Sequence, residues 1–169
     1  MKPLPKRKST RLKEYDYSQF GFYFITICLK ERKEFFSKVI DGKVILTEFG
    51  KIVEDILIDL PKYYNIEIDS YIIMPDHIHI IIVVDNDPTR EKNISTKIET
   101  LSDVIGKFKS YSTKRIKTQL KGTQDFKWQK SFYDRIIRSE KELYQIRKYI
   151  EENPLRWEIE KHYSENLEM

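Results

Sequence analysis

The sequence contains one cysteine, Cys28, in 169 residues. No internal disulfide can form, and a chain of this length with one thiol reads as a protein of a reducing compartment. Cys28 itself sits in an apolar run and reads as a small core residue. Long apolar runs are also missing. The longest, Ile80 to Val84, extends to Ile78 only by counting His79 within it, whereas a membrane-crossing helix needs about 20 apolar residues. The opening MKPLPKRKSTRLK has neither an apolar centre nor a small-residue cleavage pattern, so it does not read as a secretory signal. The expectation is a cytoplasmic protein with no membrane partner. Histidine is scarce: there are three, with no second cluster of His or Cys, which argues against a closed structural zinc site. There is no Walker-type Gly-rich loop, no internal repeat and no low-complexity tract.

Acids are absent from two stretches. Residues 1–13 hold six Lys or Arg, and residues 104–121 hold six more, Lys107, Lys109, Lys114, Arg115, Lys117 and Lys121. The end of the chain is the reverse, with six Glu between residues 151 and 169. Net charge is only +4, so the clustering carries the information. Two basic clusters fit a polyanion partner, and they equally fit a solvated face and a floppy tail. Hydrophobic residues make up 40%, enough for one packed domain and too many for wholesale disorder.

The pattern divides into a flexible basic arm over 1–13, a domain over 14–160 and a charged tail over 161–169. Phe22 to Leu29 is rich in β-branched and aromatic residues and reads as a buried strand. Asp41-Gly42 is a turn between short strands at Phe35–Ile40 and Lys43–Leu46. Thr47 caps a helix whose Phe49, Ile52, Val53, Ile56, Leu57 and Leu60 follow helical spacing, with Pro61 after it. Strands follow at Ile66–Met74 and His77–Val84, separated by Pro75-Asp76. A polar loop over 85–100 leads to a helix from Leu101 to about Leu120. Phe132 to Arg138 reads as the last strand. Ser139 and Glu142 form a capping-box pattern opening a third helix, which Pro154 is expected to end. Short-looped strands mixed with helices predict an α+β fold. The core order β-α-β-β-α-β is that of a ferredoxin-like antiparallel sheet with packed helices.

Alternate residues of a strand share a face. His77, His79, Ile81 and Val83 therefore point one way, and Ile78, Ile80, Ile82 and Val84 point the other. The second face is wholly apolar and must be covered. The first begins with two imidazoles roughly 7 Å apart along the strand, a spacing that suits two ligands on one ion. Two satisfied polar residues at a strand end would have the same spacing. An imidazole buried without partners is costly, so the pair needs a reason. With so few other ligands, any metal site must be completed by oxygen or amide groups, water or substrate. That donor set suits Mg²⁺ or Mn²⁺ on a phosphate. In the third helix Tyr149 and Asn153 are four apart and share a face. Spacing alone reads them as a packed aromatic and a helix cap.

The segment Met74-Pro-Asp-His-Ile-His and its apolar strand resemble the His-hydrophobic-His motif of the HUH single-tyrosine transposases. Trp128-Gln129, Phe132-Tyr-Asp-Arg-Ile-Ile-Arg and Tyr149-Ile-x-x-Asn153-Pro154 resemble the downstream blocks of that family. Tyr15-Asp-Tyr-Ser-Gln, Tyr23-Phe-Ile-Thr-Ile-Cys and Leu101-Ser-Asp-Val-Ile-Gly-x-Phe-Lys-Ser are similar to its REP-associated tyrosine transposase branch. The likeness covers roughly residues 9–160.

The resemblance implies His77 and His79 as metal ligands, Tyr149 as the nucleophile and Asn153 as a helix-borne amide that completes the metal site. It implies cleavage and rejoining of single-stranded or hairpin DNA through a 5′-phosphotyrosine, by a monomer or a homodimer. Asp76 would stand behind the site without being catalytic. Lys107, Lys109, Lys114, Arg115 and Arg135 would contact phosphates, and exposed aromatics such as Trp128, Phe132 and Tyr133 would stack on bases. Three rivals share parts of the pattern. They are a non-catalytic nucleic-acid-binding domain, a replication initiator or relaxase of the same chemistry, and a metal-dependent hydrolase with Tyr149 idle. The first lacks the RNP pattern, and 169 residues leave the second little room for a helicase.

Overall fold

A computed structural model describes residues 12, 14–86, 89, 99–122 and 125–167. Most of the expected basic arm and of the 85–100 loop lies outside the described residues. The elements run β1 (Gly21–Cys28), β2 (Ser37–Ile40), β3 (Lys43–Leu46), α1 (Glu48–Asp59), β4 (Ile66–Ile73), β5 (His77–Val84), α2 (Leu101–Leu120), β6 (Tyr133–Ile137) and α3 (Glu140–Leu167). Four strands form one antiparallel sheet in the order β4-β5-β1-β6, and β2 and β3 form a separate ribbon. This is the ferredoxin-like α+β arrangement the pattern predicts.

Strand alternation sorts the core into two layers. Tyr23, Ile25 and Ile27 of β1 and Ile78, Ile80, Ile82 and Val84 of β5 pack beneath α1 and α2 with Val53, Leu57, Val104, Ile105 and Phe108. The opposite face carries Phe24, Ile81 and Ile137, covered by Ile146 and Ile150 of α3. β5 is buried along its whole length because both of its faces are covered. Thr47 caps α1 by accepting from the Gly50 amide at 3.2 Å, and its hydroxyl donates to the Phe35 carbonyl at 2.8 Å. Gly50 is required here. A Cβ at that position would fall 2.0 Å from the Phe36 carbonyl oxygen. Thr100 and Asp103 form the capping box that opens α2.

The third helix departs from expectation. It contains Pro154 and continues to Leu167, so part of the expected tail is helical. Proline removes an amide donor and crowds the preceding turn, yet contacts to the ribbon's turn and to Glu34 hold the continuation in place. Glu158 accepts from the amides of Asp41 and Gly42 at 3.0 and 2.8 Å, and Lys161 pairs with Glu34 at 2.7 Å. Asp41 and Gly42 both have positive φ, 51° and 68°. The ribbon's turn therefore exposes two adjacent amides, which the carboxylate takes. Nearer its start, α3 is held to β4 by Arg147, which grips Asp69 with Nε–H···Oδ2 at 2.8 Å and a second parallel bond. Asp69 is available because β4 bulges between Ile68 and Ser70.

Candidate active site

The two histidines converge. His77 Nε2 and His79 Nε2 lie 3.1 Å apart, and both side chains are buried. Each ring is fixed from behind. His77 Nδ1 donates to Asp76 Oδ1 at 2.5 Å, and His79 Nδ1 bonds Thr26 Oγ1 at 2.8 Å. Thr26 reaches His79 because β1 pairs with β5 in the register that sets the two opposite each other. Phe24, on the same face, stacks on His79 with ring centroids 5.4 Å apart.

Asp76 is itself held by Arg32, whose Nε lies 2.7 Å from Asp76 Oδ2. Arg32 adopts positive φ, 54°, and also donates to Cys28 Sγ at 2.8 Å. A carboxylate paired in this way only accepts, so His77 carries a proton on Nδ1 and turns Nε2 toward His79. Burial, then the neighbouring His77 and Arg32, push His79 down to about 3, so His79 is neutral near pH 7. Two imidazoles with their Nε2 atoms together form a donor set for a cation, backed by the carboxylate and hydroxyl partners that metal-binding histidines commonly use. Among the described residues, no group of three or more His, Cys, Asp or Glu is placed to hold a metal. An amide or a phenol is among the groups that remain as a third protein donor.

The third helix supplies both. Tyr149 Oη lies 3.5 Å from His79 Nε2, and its ring meets Phe24 edge-on at 6.0 Å. Trp157, two turns along, sits 5.9 Å from the His77 ring. Asn153 is buried on the same helical stripe, between the residue over His79 and the residue beside His77. The structure therefore brings His77, His79 and Tyr149 together and puts Asn153 on the stripe that faces them.

The expected DNA contacts fall in three places. Arg135 and Tyr133 lie on the histidine face, opposite Phe24 and Thr26 across the β1–β6 pairing, and Arg135 pairs with Glu142 at 2.6 Å. Lys107, Lys109, Lys114 and Arg115 are on α2, across the sheet from the site. Lys107 pairs with Glu99 at 2.9 Å, and Lys109 donates to the Gln129 and Ser131 carbonyls. Lys114 and Arg115 are exposed beside Tyr63 and Tyr111.

Trp128 corrects the expectation of an exposed stacking residue. It is buried among Phe36, Phe108 and Phe126, and its Nε1 donates to Ser112 Oγ at 3.0 Å. Its burial had a signal, because Phe126, Lys127, Trp128 and Gln129 alternate as an edge segment should. Thr26, Arg32, Phe24 and Trp157 were not found from the sequence. Thr26 and Phe24 become visible only through strand register, and Arg32 only through its left-handed turn.

Comparison with known proteins gives the family. Residues 21–153 match the family model of IS200-like transposases. An uncharacterised protein of Haemophilus influenzae is 32% identical over 93% of both chains. A second protein of that organism, provisionally named a REP-associated tyrosine transposase, is 26% identical over 83% of this chain and 74% of its own. Two solved structures share the fold at 20% identity. One is a REP-associated tyrosine transposase bound to a REP hairpin, with a TM-score of 0.61 over 86% of this chain and 73% of that one. The other, provisionally named a transposase, comes from Deinococcus radiodurans, with a TM-score of 0.51 over 83% and 95%. The chain belongs to the IS200-like transposase family.

Proposed function

We propose that this protein cuts and rejoins single-stranded DNA beside a hairpin, with Tyr149 as nucleophile and His77 and His79 as ligands of a Mg²⁺ or Mn²⁺ ion. The observation that carries the reading is the approach of the Tyr149 phenol to two imidazoles whose Nε2 atoms converge and whose Nδ1 atoms are already engaged. Asn153 would add an amide oxygen. A bound divalent ion would offset charge on the phosphate oxygens as the transition state forms. Hairpin DNA is extended to this chain from the solved relative bound to a REP hairpin.

The chain's own residues do the rest. Tyr149 Oη bonds to phosphorus while the bond from phosphorus to the 3′ oxygen breaks. The phenol gives up one proton and the departing 3′ oxygen gains one, so a 5′-phosphotyrosine and a free 3′-hydroxyl remain. A free phenol holds its proton at neutral pH, so transfer must accompany attack. Another 3′-hydroxyl reverses the step, and no nucleotide hydrolysis is needed.

The test is incubation with hairpin-bearing single-stranded DNA and Mg²⁺ or Mn²⁺, followed by a denaturing gel. A covalent adduct is expected with the native protein and none with Tyr149→Phe. Cleavage with no adduct would favour a hydrolase, and binding with no cleavage in either metal would favour a binding domain. Cleavage that survives His77→Ala together with His79→Ala would remove the metal role.

A further inference from the structure

The family match ends at Asn153, yet α3 continues to Leu167 through a proline that ordinarily stops a helix. The continuation is fastened in place by Glu158 on the Asp41 and Gly42 amides and by the Lys161–Glu34 pair. Two side chains on it border the reactive groups. The Arg156 guanidinium lies 5.7 Å from the Tyr149 ring centroid, and the Trp157 ring lies 5.9 Å from that of His77. Each therefore adjoins a group of the candidate active site, and neither belongs to the matched segment.

Packing alone does not account for Arg156. Its side chain is 57% exposed, and its ion pair is with Glu152 at 3.2 Å, itself 38% exposed. Such an exposed helical pair contributes little and exchanges readily for a stronger anion. A guanidinium matches phosphate oxygens in a way no other side chain does. Trp157 is only partly buried, and indole faces stack on any base without regard to sequence. A cation beside the nucleophile and an indole beside the histidines are the two contacts that one nucleotide needs.

We propose that Arg156 and Trp157 form a nucleotide subsite, in which the backbone phosphate next to the cleaved one rests on Arg156 and a neighbouring base stacks on Trp157. The ligand is single-stranded DNA, so the subsite rests on the proposed reading of the substrate. It lies beyond the segment that the family model matches.

The test uses the full chain carrying Tyr149→Phe, so that nothing is cut, with a single-stranded oligonucleotide in EDTA. Anisotropy titrations over a salt series give affinity and its salt slope. Arg156→Gln should weaken binding roughly tenfold and flatten the slope by about 0.7, while Arg156→Lys keeps the slope. Intrinsic fluorescence should be quenched by DNA, and Trp157→Phe should abolish the quench, since Trp128 is sealed in the core. An unchanged slope in Arg156→Gln, or a quench that survives Trp157→Phe, would overturn the subsite. Comparing Lys with Gln at position 156 separates loss of charge from loss of fold. The reading of the reaction is scored separately by adduct formation in the native protein. No adduct there, with the slope and quench as expected, overturns the reaction and keeps the subsite. An adduct with neither effect keeps the reaction and removes the subsite.

Discussion

The Tyr149 phenol oxygen lies 3.5 Å from Nε2 of His79 although the two residues are seventy positions apart. Ile146 and Ile150 seat α3 on Phe24, Ile81 and Ile137, the Arg147–Asp69 grip fixes one half of the helix, and Glu158 fixes the other. The histidines are fixed just as firmly from the sheet side. Sequence-distant groups held this tightly by the protein's own contacts are the structural form of preorganisation.

That arrangement predicts that Asp76 sets the affinity of the histidine pair for metal. Asp76→Asn removes the charge that orients His77 and also frees Arg32. The expected result is a loss of roughly 10- to 100-fold in affinity for Mn²⁺, read from free Mn²⁺ by electron paramagnetic resonance with no DNA present. Thr26→Val, which keeps the shape and deletes the His79 partner, should move affinity the same way by less. Unchanged binding in both variants would mean that the rings orient themselves.

Trp128 should govern stability and leave DNA affinity alone. Its indole fills space between Phe36, Phe108 and Phe126 and satisfies Ser112. Trp128→Ala is expected to cost about 3–5 kcal/mol in denaturant unfolding, with DNA affinity of the folded fraction unaltered. A native unfolding midpoint combined with weak DNA binding would restore the surface role expected from sequence.

Which residues share a face was legible because those signals are local, while their roles came from the family resemblance. Alternation in β5 separated the histidine face from the isoleucine face, and the four-residue spacing put Tyr149 and Asn153 on one side of α3. The Thr47 cap and the Asp41-Gly42 turn were legible for the same reason. What was misread depends on tertiary contacts. Pro154 is a local stop signal, overridden by Glu158 and Lys161, whose partners lie more than a hundred residues away. Thr26 finds His79 only through pairing across fifty-three residues. Such contacts leave no periodicity behind, so no window along the chain shows them.

Alkaline pH should loosen the fold through Tyr71. Its hydroxyl donates to Glu54 Oε1 at 3.0 Å, tying β4 to α1. Burial, and then that bond, push its phenol up to about 12, against about 10 in an unfolded chain. A raised pKa means that the folded state holds its proton longer. The stabilisation is therefore complete below pH 10 and is lost as pH rises through 12. Melting temperature should fall across that window, and Tyr71→Phe should make the fall shallower. Part of it will remain, because Tyr23 is raised in the same direction by its own burial. A slope identical to native in Tyr71→Phe would exclude this phenol as a contributor.

The basic side of α2 makes the sharpest functional prediction, because it faces away from the chemistry. Lys114 and Arg115 are exposed on the layer opposite the histidine face, beside Tyr63 and Tyr111. If they hold phosphates of a hairpin stem, Lys114→Gln with Arg115→Gln should weaken hairpin binding uniformly across sequences. The salt slope should drop by about 0.9 for each phosphate that is no longer neutralised. Adduct formation on a short single strand without a hairpin should stay at the native rate, since neither residue approaches Tyr149. Equal losses on both substrates would show that the pair acts through the fold, and no loss on either would show that this face is merely solvated. A loss confined to the hairpin would divide the molecule in two, with the helical layer gripping the duplex and the α3 layer cutting the strand.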